Sequence, residues 1–227
     1  MSQQPVSERG LTARREAPRV ETMRQYEVDR MQPAEEPAVI AALSRAFYDD
    51  PLFGFFVPNL LKQSKALVSF MGSGVKDART FNEIWVAHSD GIVAAAAVWL
   101  PPGAYPRNFR REAMTYVHTF PTLLYTGKRI GRAMALLGAV DKAHHELHEP
   151  HYYLGILGSE PKLQRAGAGT AVLAPVLERC DNEGLPAYLE TQKEDNIAYY
   201  ARHRFDLVQK IEITGCPPIW TLLRQPK

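Results

Sequence analysis

The residues Gln164-Arg165-Ala166-Gly167-Ala168-Gly169-Thr170 stand between two different kinds of pattern. Upstream, the apolar run Tyr152–Leu157 ends in Gly158-Ser159-Glu160-Pro161; downstream, Ala171–Cys180 repeats apolar residues at helical spacing. The stretch reads as strand, loop and helix, with two glycines at the helix entrance. A helix start presents backbone N–H groups without intrahelical partners and the positive end of a dipole, a setting that suits phosphate. Gly167 and Gly169 remove side chains that would hold a pyrophosphate off the backbone. A dinucleotide fingerprint would need Gly or Ala at position 172, which is Val172, and no Gly-Lys-Ser/Thr of a P-loop is present. What is left is Gln-x-x-Gly-x-Gly, Gln164 to Gly169. It is either a cradle for a phosphorylated cofactor or a glycine-rich turn before an ordinary helix.

A carboxylate and a phenol follow closely. Glu190 lies near the end of the short strand-like stretch Ala187–Thr191, and alternation puts it on one face with Tyr188. A carboxylate there can take a proton from an amine, or can be a surface Glu beside an Arg. Tyr200 stands four residues after Asn196, on the same face of an expected helix. Its phenol can donate a proton, or Tyr200 can pack as an ordinary aromatic while Tyr199 faces the cofactor. Asn196 also suits a helix N-cap. His144, His145, His148 and His151 with Glu146 and Glu149 invite a metal reading. His-Glu-x-x-His fails, because the residue four after His145 is Glu149. We expect no metal site, and a solvated helix end at these histidines.

Linked motifs across His151–Ile213 carry a resemblance. The Gln164–Gly169 pattern, the Leu189-Glu190-Thr191 triplet and Asn196–Phe205, close to Asn-x-x-x-Tyr-x-x-x-Gly-Phe, resemble the GNAT-type N-acetyltransferases. Gly158-Ser159-Glu160-Pro161 and Ala46-Phe47-Tyr48-Asp49-Asp50-Pro51 make the puromycin N-acetyltransferase-like group the nearest likeness. The resemblance implies acetyl-CoA as donor and a small-molecule primary amine, puromycin-like or another metabolite, as acceptor, by direct attack on the thioester. Acetylation of a protein N-terminus or lysine, and a catalytically silent acyl-CoA-binding module, are the alternatives. It also implies a mixed α/β fold: a central, mostly antiparallel sheet, helices on both faces and a splay between two central strands.

Residue by residue, the resemblance implies that Leu157 and Gly158 pair along the pantetheine as a missing strand would. Gln164, Arg165, Ala166, Gly167, Ala168, Gly169 and Thr170 would form the pyrophosphate loop, with Asn196 and Tyr199 also on the cofactor. Tyr200 takes the family's Tyr position as acid for the departing thiolate. Glu190 leads as base, with Asp49 and Asp50 as alternates. Asp49, Asp50, Phe53 and Trp99 would border the acceptor, although these aromatics, like Phe55, Phe56, Tyr105 and Phe109, can equally be core contacts. One position departs from the pattern: Arg204 stands where the family has Gly. If that position is left-handed, Arg costs up to about 1 kcal/mol there.

Composition sets the frame. With 45% hydrophobic residues the chain can bury a sizeable core, and a formal charge of +2 is too small to suggest nucleic acid or membrane as partner. Arg9, Arg14, Arg15 and Arg19 against Glu8 and Glu16 account for that excess, so residues 1–20 read as a disordered tail and 21–227 as one domain. Two cysteines, Cys180 and Cys216, fit a reduced, cytoplasmic protein. Ile92–Pro102 is too short to cross a bilayer. Nothing distinguishes a monomer from a homodimer.

The elements that must position the site follow from the same patterns. Strands are expected at Gln25–Met31, His151–Leu157, Ala187–Thr191, Leu207–Thr214 and Ile219–Leu223, and as a hairpin at Glu83–Ala87 and Gly91–Leu100. Helices are expected from Pro33 or Ala34 to Phe47, then over Leu61–Gly74, Gly167–Asn182 and Asn196–His203. Leu52–Pro58 reads as aromatic-rich loop. A helical insertion spans about 107–149, broken at Pro121 and near Gly127–Gly131.

Overall fold

Apolar runs from both halves of the chain pair into one seven-stranded sheet in the computed structural model, which describes residues 26–227. In chain order the elements are β1 (Glu27–Arg30), α1 (Glu36–Ala46), α2 (Pro51–Phe56), α3 (Leu60–Arg79), β2 (Ile84–Ser89) and β3 (Ile92–Leu100). Two helices follow, α4 (Phe109–Thr126) and α5 (Ile130–His145). The second half holds β4 (Tyr152–Ser159), α6 (Ala168–Glu183), β5 (Ala187–Thr191), α7 (Asp195–Ala201), β6 (Asp206–Ile211) and β7 (Ile219–Arg224). The tail expected over residues 1–20 lies outside the described residues.

The strand order is β1-β2-β3-β4-β5-β7-β6, antiparallel except for the parallel pair β4–β5. Each face carries its own core. On one, α6 packs Val172, Leu173 and Val176 against Trp99, Leu154 and Leu189. On the other, α1 and α3 bring Leu43, Leu67 and Met71 onto Val86, Val98 and Ile156. A third cluster joins α2 and α5 to the β6–β7 end through Phe56, Leu136, Ile211 and Ile219. β3 is buried along almost its whole length, because helices cover both of its faces.

The parallel pairing is short. Tyr152, Tyr153 and Leu154 of β4 align with Ala187, Tyr188 and Leu189 of β5, and there the register ends. β4 continues to Ser159 paired only with β3, while β5 continues through Glu190 and Thr191 paired only with β7. The two central strands fork at Gly155 and Glu190, and this is the expected splay.

Two expectations about helices fail here. Leu52–Pro58 is not wholly a loop: Asp50 Oδ1 accepts a 2.9 Å hydrogen bond from the Leu52 amide and caps the six-residue helix α2, with Pro51 at its first position. Pro121 does not break α4. The helix is held to α3 on either side of it, by Thr122 Oγ1 on the Ala66 carbonyl (3.0 Å) and Ser69 Oγ on the His118 carbonyl (2.6 Å). The expected break near Gly127 is present, between α4 and α5.

Arg204 has φ +66°, in the left-handed region after α7, as a Gly at this position would have. Arg204→Gly is expected to raise stability by roughly 0.5–1 kcal/mol, since Gly takes this conformation without the Cβ conflict. Urea unfolding of the two proteins checks it; an unchanged or lower midpoint contradicts the expectation.

Candidate active site

The glycine loop turns into α6. Arg165 (φ +62°) and Gly167 (φ +91°) both turn left-handed, and Gly167 is the N-cap of α6. Among the described residues no side chain caps that helix start, which leaves its first amides open to a ligand or solvent. Gly169 lies beneath Tyr199: a Cβ there would sit 2.9 Å from Tyr199 Oη and 3.4 Å from Ser159 Oγ. Tyr199 Oη is buried on the wall of the loop, beside the Thr170 side chain and without a well-formed hydrogen bond among the described residues. Gln164 and Arg165 are exposed, and Thr170 Oγ1 lies 3.2 Å from His203 Nε2. Tyr26 Oη donates to the Ala166 carbonyl (3.0 Å), while Arg45 and Glu160 form an ion pair (2.8 Å) at the loop entrance. These residues fit a pyrophosphate.

The fork supplies the other half. Beyond Leu154 the outer edge of β4, with Leu157 half-buried and Gly158 buried, pairs with no strand among the described residues. Gly158 has a structural reason as well, because a Cβ there would meet Ala46 Cβ and Leu43 Cδ2 at 2.9 Å. Asn196 is not the N-cap of α7, a position held by Glu194. Its amide donates to Thr191 Oγ1 (3.0 Å) and ties α7 to the end of β5.

Glu190 turns away from the α6 side, on the face it shares with Tyr188. Its side chain is 7% exposed, and Oε1 is buried with no hydrogen bond among the described residues. Burial pushes its carboxyl up to about 7, against the pull of the Tyr153 and Tyr188 hydroxyls, which favour the carboxylate. Burial and the neighbouring Glu190 charge in turn raise both phenols.

The helix end bearing His144 is not solvated. His145 and His148 are exposed as expected, but His144 is 2% exposed, stacked on Tyr105 (3.9 Å between ring centres), with Nδ1 3.8 Å from Glu190 Oε1. Desolvation, followed by the charges of His151, His145 and Arg107, lowers its imidazole to about 3, so it is neutral at ordinary pH. The tautomers follow from the hydrogen bonds. His151 Nδ1 is 2.7 Å from the Glu149 carbonyl, which can only accept, so that nitrogen carries the proton. Burial lowers the His151 pKa too, and a neutral His151 must accept through Nε2. His144 Nε2, 2.8 Å away, is then the donor, and the His144 Nδ1 lone pair faces Glu190. This arrangement favours a protonated Glu190 and opposes its charge. One sequence signal for the burial exists: His144 shares a helical stripe with Leu136, Val140 and Ala143.

Tyr200 lies on the opposite face of the fork. It is 6% exposed, packed edge-on to Phe205 (5.8 Å) within the α6-side core, where burial raises its phenol. Trp99 is fully buried in that same core, so it is not brought together with Glu190; packing against Leu154 and α6 claims its side chain. Asp50 is buried as the α2 cap, with its pKa raised by burial, and Asp49 is exposed on the turn before it. Phe53 is half-buried, edge-on to Phe70 (5.3 Å). Among the described residues no group of three or more His, Cys, Asp or Glu could hold a metal, and no helix is long and apolar enough to cross a membrane.

The fold is shared with solved acetyltransferase structures. The chain superposes on the histone acetyltransferase HPA2-related acetyltransferase of Corynebacterium glutamicum (20% identity, TM-score 0.61, 89% of this chain and 97% of that one). It also superposes on the polyamine N-acetyltransferase of Drosophila melanogaster (16%, 0.61, 88% and 100%) and on arylalkylamine N-acetyltransferase 2 of Aedes aegypti (12%, 0.58, 90% and 100%). Residues 93–205 match the model of the acetyltransferase (GNAT) family. Over those residues the chain is similar to the GNAT acetyltransferases, a family that uses acetyl-CoA as donor.

Proposed function

We propose that this protein transfers an acetyl group from acetyl-CoA to a primary amine of a small molecule, in the cytoplasm. The observation that carries the reading is Glu190: a buried carboxylate with one free oxygen, its pKa lifted to about 7, at the fork of the two central strands. The structural neighbours named for polyamines and arylalkylamines support a small amine as acceptor. A puromycin-like amine belongs in the same class.

Bound with its pyrophosphate on the Arg165–Thr170 loop and its arm beside Leu157 and Gly158, acetyl-CoA supplies an activated acetyl thioester. The chain's own residues manage the protons. An alkylamine with a pKa near about 10.4 costs roughly 4–5 kcal/mol to deprotonate at neutral pH. Glu190 takes that proton on an oxygen already biased toward the acid form, as the nitrogen–carbon bond forms and the carbon–sulfur bond breaks. Tyr200 returns a proton from Oη to the departing sulfur, from the opposite face of the fork. Tyr199 serves the cofactor loop with its hydroxyl, beside the Thr170 side chain.

Two phenylalanine variants test the division of labour. Tyr200→Phe is expected to lower kcat by roughly 10²-fold or more while retaining acetyl-CoA binding by calorimetry, whereas Tyr199→Phe weakens that binding. The reverse result exchanges the two roles. Wild-type protein that binds acetyl-CoA but releases no CoA with any of a broad set of amines, puromycin included, would be a silent module instead.

A further inference from the structure

A cavity of about 110 Å³ lies between α3, α4 and the β3–β4 surface, on the Glu190 side of the sheet. Tyr153 joins the two: its ring lines the cavity, and its hydroxyl acts on the Glu190 carboxylate. Gly155, the first β4 residue past the fork, lines it as well. Phe70, Val98 and Ile156 make much of the wall apolar.

The charges around this cavity are uneven. Asp77 is the only lining carboxylate among the described residues, and both of its oxygens are taken. Arg107 Nε donates to Oδ2 (2.8 Å), and Arg111 donates to Oδ1 and Oδ2 (2.8 and 3.0 Å). Arg111 stands behind the wall on Asp77, so the lining carboxylate is already shared by two guanidiniums and the Asp77–Arg107–Arg111 cluster is net positive. Arg107 uses only Nε on Asp77, and its terminal nitrogens have no hydrogen-bond partner among the described residues. The hydroxyls of Ser73 and Thr119 both donate to the Thr115 carbonyl (3.5 and 2.7 Å), so neither adds negative charge. Asp141, on the exposed rim near Glu190, accepts from the Tyr105 hydroxyl.

We infer that the acceptor is a monoamine with an uncharged, largely apolar arm. The arm enters this cavity with an oxygen able to accept from Arg107, and a second cationic centre is disfavoured. The inference rests on the acetyl-transfer reading with Glu190 at the reacting amine. The reason is electrostatic: a second ammonium or a guanidinium would lie against Arg107 in a partly desolvated wall with no free carboxylate to meet it. An aromatic or alkyl arm would instead bury its surface on Phe70, Val98 and Ile156.

The test compares tyramine, whose arm is neutral and carries a phenolic oxygen, with agmatine and spermidine, whose arms are cationic. Initial rates are measured at saturating acetyl-CoA. The expected kcat/KM for tyramine exceeds that for either polycation at least tenfold. Arg107→Gln is expected to narrow the ratio, because it removes both the repulsion and the oxygen contact. Thr119→Trp, which fills the cavity, is expected to raise the KM for tyramine at least tenfold, with an unchanged acetyl-CoA Kd reporting an intact fold. Turnover that favours agmatine or spermidine, or a tyramine KM indifferent to both substitutions, overturns the inference and leaves the acetyl-transfer reading standing. No turnover with any amine overturns that reading and the inference with it.

Discussion

Glu190→Gln is expected to lower kcat/KM for amine acetylation by roughly 10²–10⁴-fold, the range a positioned general base supplies. Gln keeps the shape and one acceptor oxygen, so acetyl-CoA affinity should survive while proton removal fails. The wild-type pH profile gives the sharper readout. With its carboxyl held near 7, Glu190 is the acid form at pH 5 and the base form above pH 8, so kcat/KM should rise through about 7 as the pH increases. That limb should vanish in the Gln variant, and the gap between the two proteins should be widest above pH 7. A variant that retains the limb would assign the base elsewhere, with the buried Asp50 the next carboxylate to test.

Stability should move in the opposite sense. The folded pKa of Glu190, about 7, lies above the unperturbed value of 4.5, so between these limits the native state binds more protons than the unfolded chain. The contribution of Glu190 to stability is then intact below about pH 4.5 and lost as pH rises through 7. Glu190→Gln removes the ionisation, so the variant should gain on the wild type across this window by roughly 3 kcal/mol. Thermal unfolding of both proteins from pH 4.5 to 8 measures the gap; one that stays constant with pH means the carboxyl is not held in its acid form.

Gly167→Trp is expected to weaken acetyl-CoA binding at least 10²-fold, about 2.7 kcal/mol, by calorimetry. Two effects combine at this position: φ is +91°, which opposes any Cβ, and a bulky indole would cover the uncapped start of α6. Strain alone could cost stability without touching the ligand, so a control is needed. Gly184, at the other end of the same helix, has φ +67° and open space around it. Gly184→Ala should lose comparable stability and keep full affinity. Equal affinity losses in the two variants would trace the effect to helix α6 as a whole and not to the loop.

The parts of the site legible in the sequence are those with local causes. Ala187–Thr191 forms β5 with the expected bounds, and the Gln164–Thr170 loop opens α6 as its flanking patterns require. Arg204 is left-handed where the motif calls for Gly. Each depends on a dihedral preference or a periodicity that a few neighbouring residues set. α2 escaped notice because six aromatic-rich residues show no helical period, and its Asp50 cap also reads as a turn signal. Pro121 misled for the converse reason: a strong local breaker is outweighed by packing on α3, which sequence neighbours do not reveal.

Glu190 shows where sequence and tertiary structure divide. Its identity, its place near the end of β5 and the face it shares with Tyr188 are properties of the sequence alone, because strand alternation is a local rule. The state of its proton is not. That depends on α5, from a distant part of the chain, laying neutral His144 beside the fork with Tyr105 of the β3–α4 loop stacked on it, and on β4 bringing up Tyr153. Trp99 illustrates the same limit, since only the sheet decides that it faces α6 and not the acceptor side. Periodicity and turn chemistry act over a few residues and survive in the sequence. Desolvation and charge placement are sums over groups that meet only when the chain has folded.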